Sequence, residues 1–131
     1  MAEKIKVTAV IPARPKRIYE AWLNSREHSG FTGSPAKVDP NINGKFTAWD
    51  GYISGRTLLL EPGKRIVQTW RTTEFPVGAE DSKLEILFQK SEKETKITLI
   101  HSNIPEGQSE SYKKGWKDYY FKPMKKYFAK K

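Results

Sequence analysis

The chain has 131 residues, no cysteine, and 24 Lys and Arg against 15 Asp and Glu, which gives a net charge of +9. Without cysteine there is no disulfide framework, thiolate metal site or cysteine nucleophile, and this length is expected to form one domain over residues 1–131. The N-terminal apolar run is too short to span a membrane and lacks the pattern of a secretory signal, so a cytoplasmic location is expected.

The first quarter of the chain predicts one strand and two short helices. From residue 4 to residue 11 apolar and polar residues alternate, and this period of two is typical of a strand with one face on a core. Pro15 suits the first position of a helix, and the segment 15–24 places its apolar residues on one face. A second helix is expected from the Asn-Ser pair that follows, passing through His28 and stopping at Gly30.

The middle of the chain predicts a loop and then a series of strands. The loop, residues 31–43, is rich in Gly, Pro, Asn and Ser, with a few extended residues at 37–39. Strands are expected at 44–49, 52–60, 65–73, 84–88 and 97–101, and Asp50-Gly51 is a strong hairpin signal. Because such short connections allow only antiparallel pairing, we expect a curved antiparallel sheet of about six strands.

The last stretch, residues 108–128, predicts a long amphipathic helix. At 3.6 residues per turn its apolar stripe consists of Tyr112, Trp116, Tyr119, Tyr120, Pro123 and Tyr127. The lysines of this stretch lie mostly off the stripe. Pro123 removes a backbone hydrogen bond and is expected to bend the helix. We expect the aromatic face to cover the concave side of the sheet, which makes an α+β arrangement.

Three runs of the sequence together resemble a known family. They are GKFTAWDGYISGRTLLLEPGKRIVQTWR (residues 44–71), TKITLIHSNIP (residues 95–105) and GWKDYYFKPMKKYF (residues 115–128). In order they give a Gly-aromatic strand, an Asp-Gly hairpin, a Glu-Pro turn, a Trp-Arg strand end, an Ile-Pro entry and a Gly-Trp pair in the helix. This order is similar to that of the C-terminal domain of the activator of heat-shock protein 90 ATPase, a family of the START-like, birch-pollen-allergen-like helix-grip superfamily.

The resemblance implies a helix-grip fold, in which a curved antiparallel sheet wraps around a long C-terminal helix and two short helices follow the first strand. Members of this superfamily share a shape but bind or process very different ligands, so the fold does not fix the chemistry. The activators of this family also have a separate N-terminal domain that docks on the chaperone, and these 131 residues contain no counterpart of it. The resemblance therefore does not imply the full activator function, and leaves open a contact made by this domain alone.

The sequence shows no catalytic or metal-binding motif. His28 and His101 are far apart and fit no metal-ligand spacing, and there is no phosphate loop, paired carboxylate or nucleophile elbow. We therefore predict no metal, no cofactor and no catalytic residue. His101 alternates with Ile97 and Leu99 and is expected between sheet and helix. There it either orients a ligand or acts as a general base, or it is a hydrogen-bonded core histidine.

The inward-facing aromatic residues form the candidate binding site. The side chains expected to line a ligand pocket are Trp49, Trp70, His101, Tyr112, Trp116, Tyr119 and Tyr120. Tyr and Trp bury apolar surface and still present a polar group, as ligand pockets require, although the same residues can also fill a closed core. The sequence predicts a non-catalytic module that holds a small apolar or amphipathic ligand between sheet and helix.

Lysines on the opposite face of the C-terminal helix indicate an alternative function. The candidate partner-binding residues are Lys113, Lys114, Lys117, Lys122 and Lys125. Such a face is either the solvated side of an amphipathic helix or a surface for an acidic protein. With the resemblance, it favours a chaperone-associated stress protein whose partner is a heat-shock chaperone. A cyclase- or hydrolase-like enzyme is a further alternative, whereas nucleic-acid and membrane binding are not expected.

Overall fold

A computed structural model describes residues 2–129. Along these residues the elements are β1 (Glu3–Ile11), α1 (Pro15–Trp22), α2 (Ser25–Thr32), β2 (Lys37–Val38), β3 (Lys45–Ala48), β4 (Ile53–Glu61), β5 (Arg65–Thr72), β6 (Ser82–Ser91), β7 (Glu94–Ile104), α3 (Ser109–Gly115), a π-helical turn (Trp116–Phe121) and α4 (Lys122–Ala129). The segments α3, π-helical turn and α4 follow one another without a break and are called the C-terminal helix below.

The strands form one antiparallel sheet in the order β1-β7-β6-β5-β4-β3-β2. β1 pairs with β7 in a register that places Val7 opposite Leu99. The other neighbours are consecutive in the chain, so α1 and α2 carry the chain from one edge of the sheet to the other. The predicted α+β helix-grip fold is confirmed. The structure adds one short strand, β2, where the sequence predicts only a few extended residues.

The second helix ends later than the sequence predicts. Gly30 lies inside α2, and Gly33 terminates it with a left-handed φ of 79°. A Cβ atom at residue 30 would lie 3.2 Å from Cε1 of Tyr127 in α4. Gly30 is therefore a point of close approach between two helices and not a helix stop. The Asn-Ser start is confirmed, because the Asn24 side chain accepts a hydrogen bond from the Glu27 N–H.

The C-terminal helix contains a wide turn instead of the simple bend predicted at Pro123. Within this turn the N–H of Lys122 donates to the carbonyl of Lys117, five residues back. In a regular α-helix the ring of Pro123 would clash with the carbonyl four residues earlier. The wide turn that directly precedes the proline changes this geometry, which is typical of a π-bulge.

The wide turn also changes which residues of this helix are buried. Its buried residues are Tyr112, Trp116, Tyr120, Phe121, Met124 and Phe128. Most of them recur at every fourth position, a spacing that drifts by about 40° per step around a regular α-helix. The turn compensates for this drift. Consequently Tyr119 is 61% exposed and Tyr127 only half-buried, although the uniform helical period places both on the buried stripe.

The core lies between the concave face of the sheet and the helices. The inward residues of β5, β6 and β7 alternate as predicted, and Ile66, Leu84, Ile86 and Leu99 are almost completely buried. Helix α2 packs on α4 and helix α1 packs on α2 and β6, so the two helices close one end of this layer. The other end lies under α3 and the hairpin of β3 and β4.

Candidate ligand-binding groove

An apolar groove of about 390 Å³ lies between the β3–β4 hairpin, β5 and the first half of the C-terminal helix. The residues that line it are Trp49, Tyr52, Ile53, Trp70, Ser111, Tyr112, Gly115, Trp116, Tyr119 and Tyr120. Six of the seven residues that the sequence predicts for a pocket are therefore brought together, and His101 is the exception. The volume falls in the range of small-molecule sites.

The hairpin forms one wall of the groove. Between β3 and β4 the chain passes through Trp49, Asp50 and Gly51, with φ values of 54°, 56° and 91°. Left-handed backbone at two successive non-glycine residues is strained and is often found at functional sites. This loop places the Trp49 ring edge-on against Tyr119, with the ring centroids 5.9 Å apart. An exposed ring on the helix and a half-buried ring on the hairpin thus meet at the mouth.

The inner end of the groove is built from packed rings. Trp70 from β5 lies 4.9 Å from Tyr112 and 5.6 Å from Trp116, measured between ring centroids. Trp116 in turn lies 4.8 Å from Tyr120. Because each ring is buried against its neighbours, this surface is rigid and apolar.

His101 lies behind this wall. It is fully buried, and both of its nitrogens are hydrogen-bonded. The Trp116 Nε1–H donates to Nδ1 at 3.2 Å, so the ring proton is on Nε2, which donates to Ser82 Oγ at 2.8 Å. Ser82 in turn donates to the Trp70 carbonyl at 2.6 Å. Burial lowers the pKa of His101 to about 3. Of the alternatives that the sequence leaves open for His101, the geometry favours the hydrogen-bonded core histidine.

His28 is a second buried histidine with both ring nitrogens hydrogen-bonded, and sequence reasoning missed it. Its Nδ1–H donates to the Trp22 carbonyl at 2.9 Å, so its Nε2 accepts the hydroxyl hydrogen of Tyr120 at 3.0 Å. Burial lowers the pKa of His28 to about 4 and raises that of Tyr120. The helical spacing of His28 with Phe31 and Thr32, all buried, is the signal that could have placed it inward.

A polar network marks the end of the groove near the β5–β6 loop. The Tyr52 hydroxyl donates to Glu74 Oε2 at 2.6 Å, and the Tyr112 hydroxyl donates to Gln108 Oε1 at 2.6 Å. Gln108 donates its own N–H to the Glu74 carbonyl, which fixes the orientation of its amide. Burial is the main reason that the pKa of Tyr52 rises to about 12, with the hydrogen bond to Glu74 as the second cause. Sequence reasoning did not include Tyr52 or Glu74.

The predicted basic face lies outside the groove. Lys114, Lys117, Lys122 and Lys125 are exposed, and Lys113 is half-buried. Lys122 Nζ lies 3.8 Å from Asp118 Oδ1, and a surface ion pair of this kind contributes little to stability. No lysine or arginine is among the residues that line the groove.

Two features are absent from the part of the chain that the structure describes. Residues 2–129 contain no cluster of three or more His, Asp or Glu side chains able to hold a metal ion. Among the same residues, no helix combines the length and the apolar character that crossing a membrane requires.

Comparisons with known proteins agree with this fold. Residues 12–129 match the family described as "Activator of Hsp90 ATPase homolog 1-like protein". The human "Activator of 90 kDa heat shock protein ATPase homolog 1" is 30% identical over 126 residues, which are 96% of this chain and 37% of the human protein. The chain spans about a third of the length of the curated relatives that it matches.

Two solved structures show the same architecture. An HSP90 activator from Plasmodium falciparum superposes with a TM-score of 0.89 at 24% identity, covering 96% of each chain. Ara h 8.0201 superposes with a TM-score of 0.77 at 10% identity over the whole of both chains. With the match over residues 12–129, the chain belongs to the family of activator of Hsp90 ATPase homolog 1-like proteins.

Proposed function

We propose that this domain is a non-catalytic binding module that holds a small apolar or amphipathic ligand in the groove between hairpin, sheet and C-terminal helix. The size of the groove and its aromatic lining support the proposal. Within residues 2–129 both histidines are buried and hydrogen-bonded, so neither is placed to exchange protons with an occupant of the groove.

The single observation that carries the proposal is Gly115. It lies in the interior of the C-terminal helix with ordinary helical angles, φ −61° and ψ −42°. Glycine there costs about 1 kcal/mol relative to alanine, yet neither backbone geometry nor packing requires it. A Cβ atom at this position would meet only Cδ2 of Tyr119, at 4.0 Å. The missing side chain leaves space, and that space is part of the groove.

Gly115→Leu tests the proposal because the leucine side chain would fill the groove from the helix. Gly115→Ala is the matched control, since it also removes the glycine but adds only one methyl group. With 1-naphthylmethanol as the probe, titration of the wild-type protein should shift the indole N–H resonances of Trp49 and Trp70. We expect Gly115→Ala to retain this binding and Gly115→Leu to weaken it at least about tenfold, a loss of roughly 1.4 kcal/mol.

Thermal unfolding of the two variants is the accompanying control. Both should be at least as stable as the wild type because alanine and leucine favour helix more than glycine does. Loss of binding by a stable Gly115→Leu protein then reports a filled groove. A wild-type protein that binds no naphthyl probe, or a Gly115→Leu variant that binds as well as the wild type, would refute the proposal.

A second function, contact with the 90-kDa heat-shock chaperone, is favoured by the names of the relatives. The exposed lysines of the C-terminal helix supply a surface for an acidic partner. We expect the wild-type domain to bind the purified chaperone of its own host at low salt. Lys114→Glu/Lys117→Glu should weaken this binding, and Lys4→Glu/Lys6→Glu on strand β1 is the control of equal charge change. Absence of binding at low ionic strength would remove this function.

A further inference from the structure

We propose that the ligand of the groove is a small organic cation, with an ammonium or delocalised nitrogen charge attached to a flat apolar body. This inference rests on the proposed function, because it names the ligand class of the same groove. The directions of the hydrogen bonds, the distribution of charge and the aromatic lining support it independently.

The phenol hydroxyls at the polar end of the groove have no free hydrogen to donate. Tyr52 donates its hydrogen to a carboxylate oxygen of Glu74, and Tyr112 donates to the amide oxygen of Gln108. Neither acceptor oxygen carries a hydrogen, so both directions are fixed. Because Tyr112 donates to Gln108, the Thr72 hydroxyl at 2.8 Å is the donor to Tyr112 and occupies a lone pair of that phenol. A ligand that meets the Tyr52 phenol therefore has to supply the hydrogen itself, as an ammonium N–H does, or to present the polarised C–H groups of a quaternary ammonium.

Two further donors that line the groove are also used within the protein. The Tyr120 hydroxyl donates to His28, and the Trp116 indole N–H donates to His101. Both hydrogens point away from the groove into the core. An anionic headgroup at either position would lose its hydrogen bonds to water without gaining these donors, and that loss is costly for a charged group.

Among residues 2–129, no charged side chain lines the groove, and a carboxylate is hydrogen-bonded to its lining. The chain has 24 Lys and Arg residues, yet none lines the groove. The charged group held against its lining is the Glu74 carboxylate, which accepts the Tyr52 hydrogen bond at 2.6 Å. A bound carboxylate or sulfate would lie near Glu74 and be repelled, whereas a cation would be attracted over the same distance.

The aromatic rings favour a cation for a separate reason. Trp49, Tyr52 and Tyr119 are among the rings that line the groove, and the face of an aromatic ring attracts a positive charge placed within about 6 Å of its centroid. The volume of about 390 Å³ exceeds the needs of one ammonium group. The remaining space requires an apolar body, and this points to a free small molecule and not to a lysine side chain of a protein partner.

Three probes with the same bicyclic body and different charges test the inference. They are (1-naphthylmethyl)trimethylammonium, 1-naphthylmethanol and 1-naphthylacetate, each titrated calorimetrically into the full chain at one ionic strength. We expect the cation to bind about tenfold more tightly than the neutral alcohol, which corresponds to one desolvated cation–π contact. The carboxylate should bind most weakly.

Glu74→Gln identifies the source of this preference. Glutamine keeps an oxygen that can accept the Tyr52 hydrogen bond and removes only the charge. Glu80→Gln is the control because it removes an equal charge from the same loop, and the Glu80 carboxylate instead contacts Asn103. We expect Glu74→Gln to weaken binding of the cation several-fold and to leave the alcohol unchanged, and Glu80→Gln to change neither.

The outcomes separate the two proposals. Equal binding of the three probes, or tightest binding of the carboxylate, overturns the cation inference and leaves the binding module intact. A cation preference that Glu74→Gln and Glu80→Gln reduce equally also overturns it, because the preference would then come from net charge. Failure of all three probes refutes the binding module itself.

Discussion

The two halves of the C-terminal helix both carry aromatic residues but meet different surroundings. The first half, α3 and the π-helical turn, leaves a groove against the hairpin, with Tyr119 exposed and Gly115 lacking a side chain. The second half, α4, is covered by α2 and by the Arg17 side chain of α1, and its Met124 is fully buried. An aromatic stripe therefore becomes a site or a core according to what covers it.

Side-chain contacts reinforce the closed half. Glu27 in α2 receives hydrogen bonds from the Tyr127 hydroxyl at 2.8 Å and from Arg17 at 2.9 Å. The Arg17 guanidinium also lies 5.2 Å from the centre of the Phe128 ring. No such connection ties Tyr119 to the hairpin, where the contact described is between rings alone. The closed half is thus expected to supply stability and the open half to supply binding.

Truncation of one residue in each half should separate these roles most clearly. Met124→Ala leaves a cavity in a fully buried site and should lower the free energy of unfolding by about 3 kcal/mol. Tyr119→Ala removes an exposed ring and should change it by less than about 0.5 kcal/mol, while weakening binding of the naphthyl probes. Urea denaturation measures both values. Equal losses of stability would show that the two halves do not differ.

The pH dependence of stability probes the two buried histidines, His28 and His101. In the unfolded chain each imidazole binds a proton near pH 6.5, whereas the folded-state pKa is lowered to about 4 for His28 and about 3 for His101. Between pH 6.5 and these lowered values the unfolded state therefore binds more protons than the folded state does. The free energy of unfolding falls as the pH drops below 6.5. Between pH 7 and pH 5 we expect a loss of about 2 kcal/mol for each histidine.

Urea denaturation at pH 7, 6 and 5 checks this dependence, and NMR titration of the imidazole protons assigns it to each ring. His28→Gln and His101→Gln should each remove about half of the slope, whatever their effect on stability at pH 7. A flat profile between pH 7 and pH 5, or an imidazole that titrates near 6.5 in the folded protein, would contradict the buried hydrogen-bonded arrangement.

The smallest expected effect compares two helical glycines. Gly115→Ala should raise the free energy of unfolding by about 0.5–1 kcal/mol because the new methyl group meets open space. Gly30→Ala should leave the protein less stable than Gly115→Ala does, since its methyl group would crowd Tyr127 at 3.2 Å. Paired thermal and urea unfolding resolves this difference. The reverse order would show that the space beside Gly115 is filled in solution.

Much of the fold follows from local patterns. The alternation of β1, β5, β6 and β7, the turn at Asp50-Gly51 and the proline at the start of α1 each place an element correctly, because strand period and turn chemistry act over a few residues. The aromatic residues of the groove were also recognised, since their clustering is visible along the chain. Missed residues such as Tyr52 and Gly115 have a role only through what lies opposite them.

The sequence by itself determined that a twisted antiparallel sheet must bury an aromatic helix, because hydrophobic period and short turns leave few other arrangements. Only the tertiary structure decided which rings face inward. The wide turn before Pro123 rotates Tyr119 into solvent, and the hydrogen-bond chain from Trp116 through His101 to Ser82 places the histidine behind the wall. The hydrogen-bond chain joins residues 15 and 19 positions apart, and the wide turn departs from the uniform period of a regular helix, so a simple periodic pattern encodes neither.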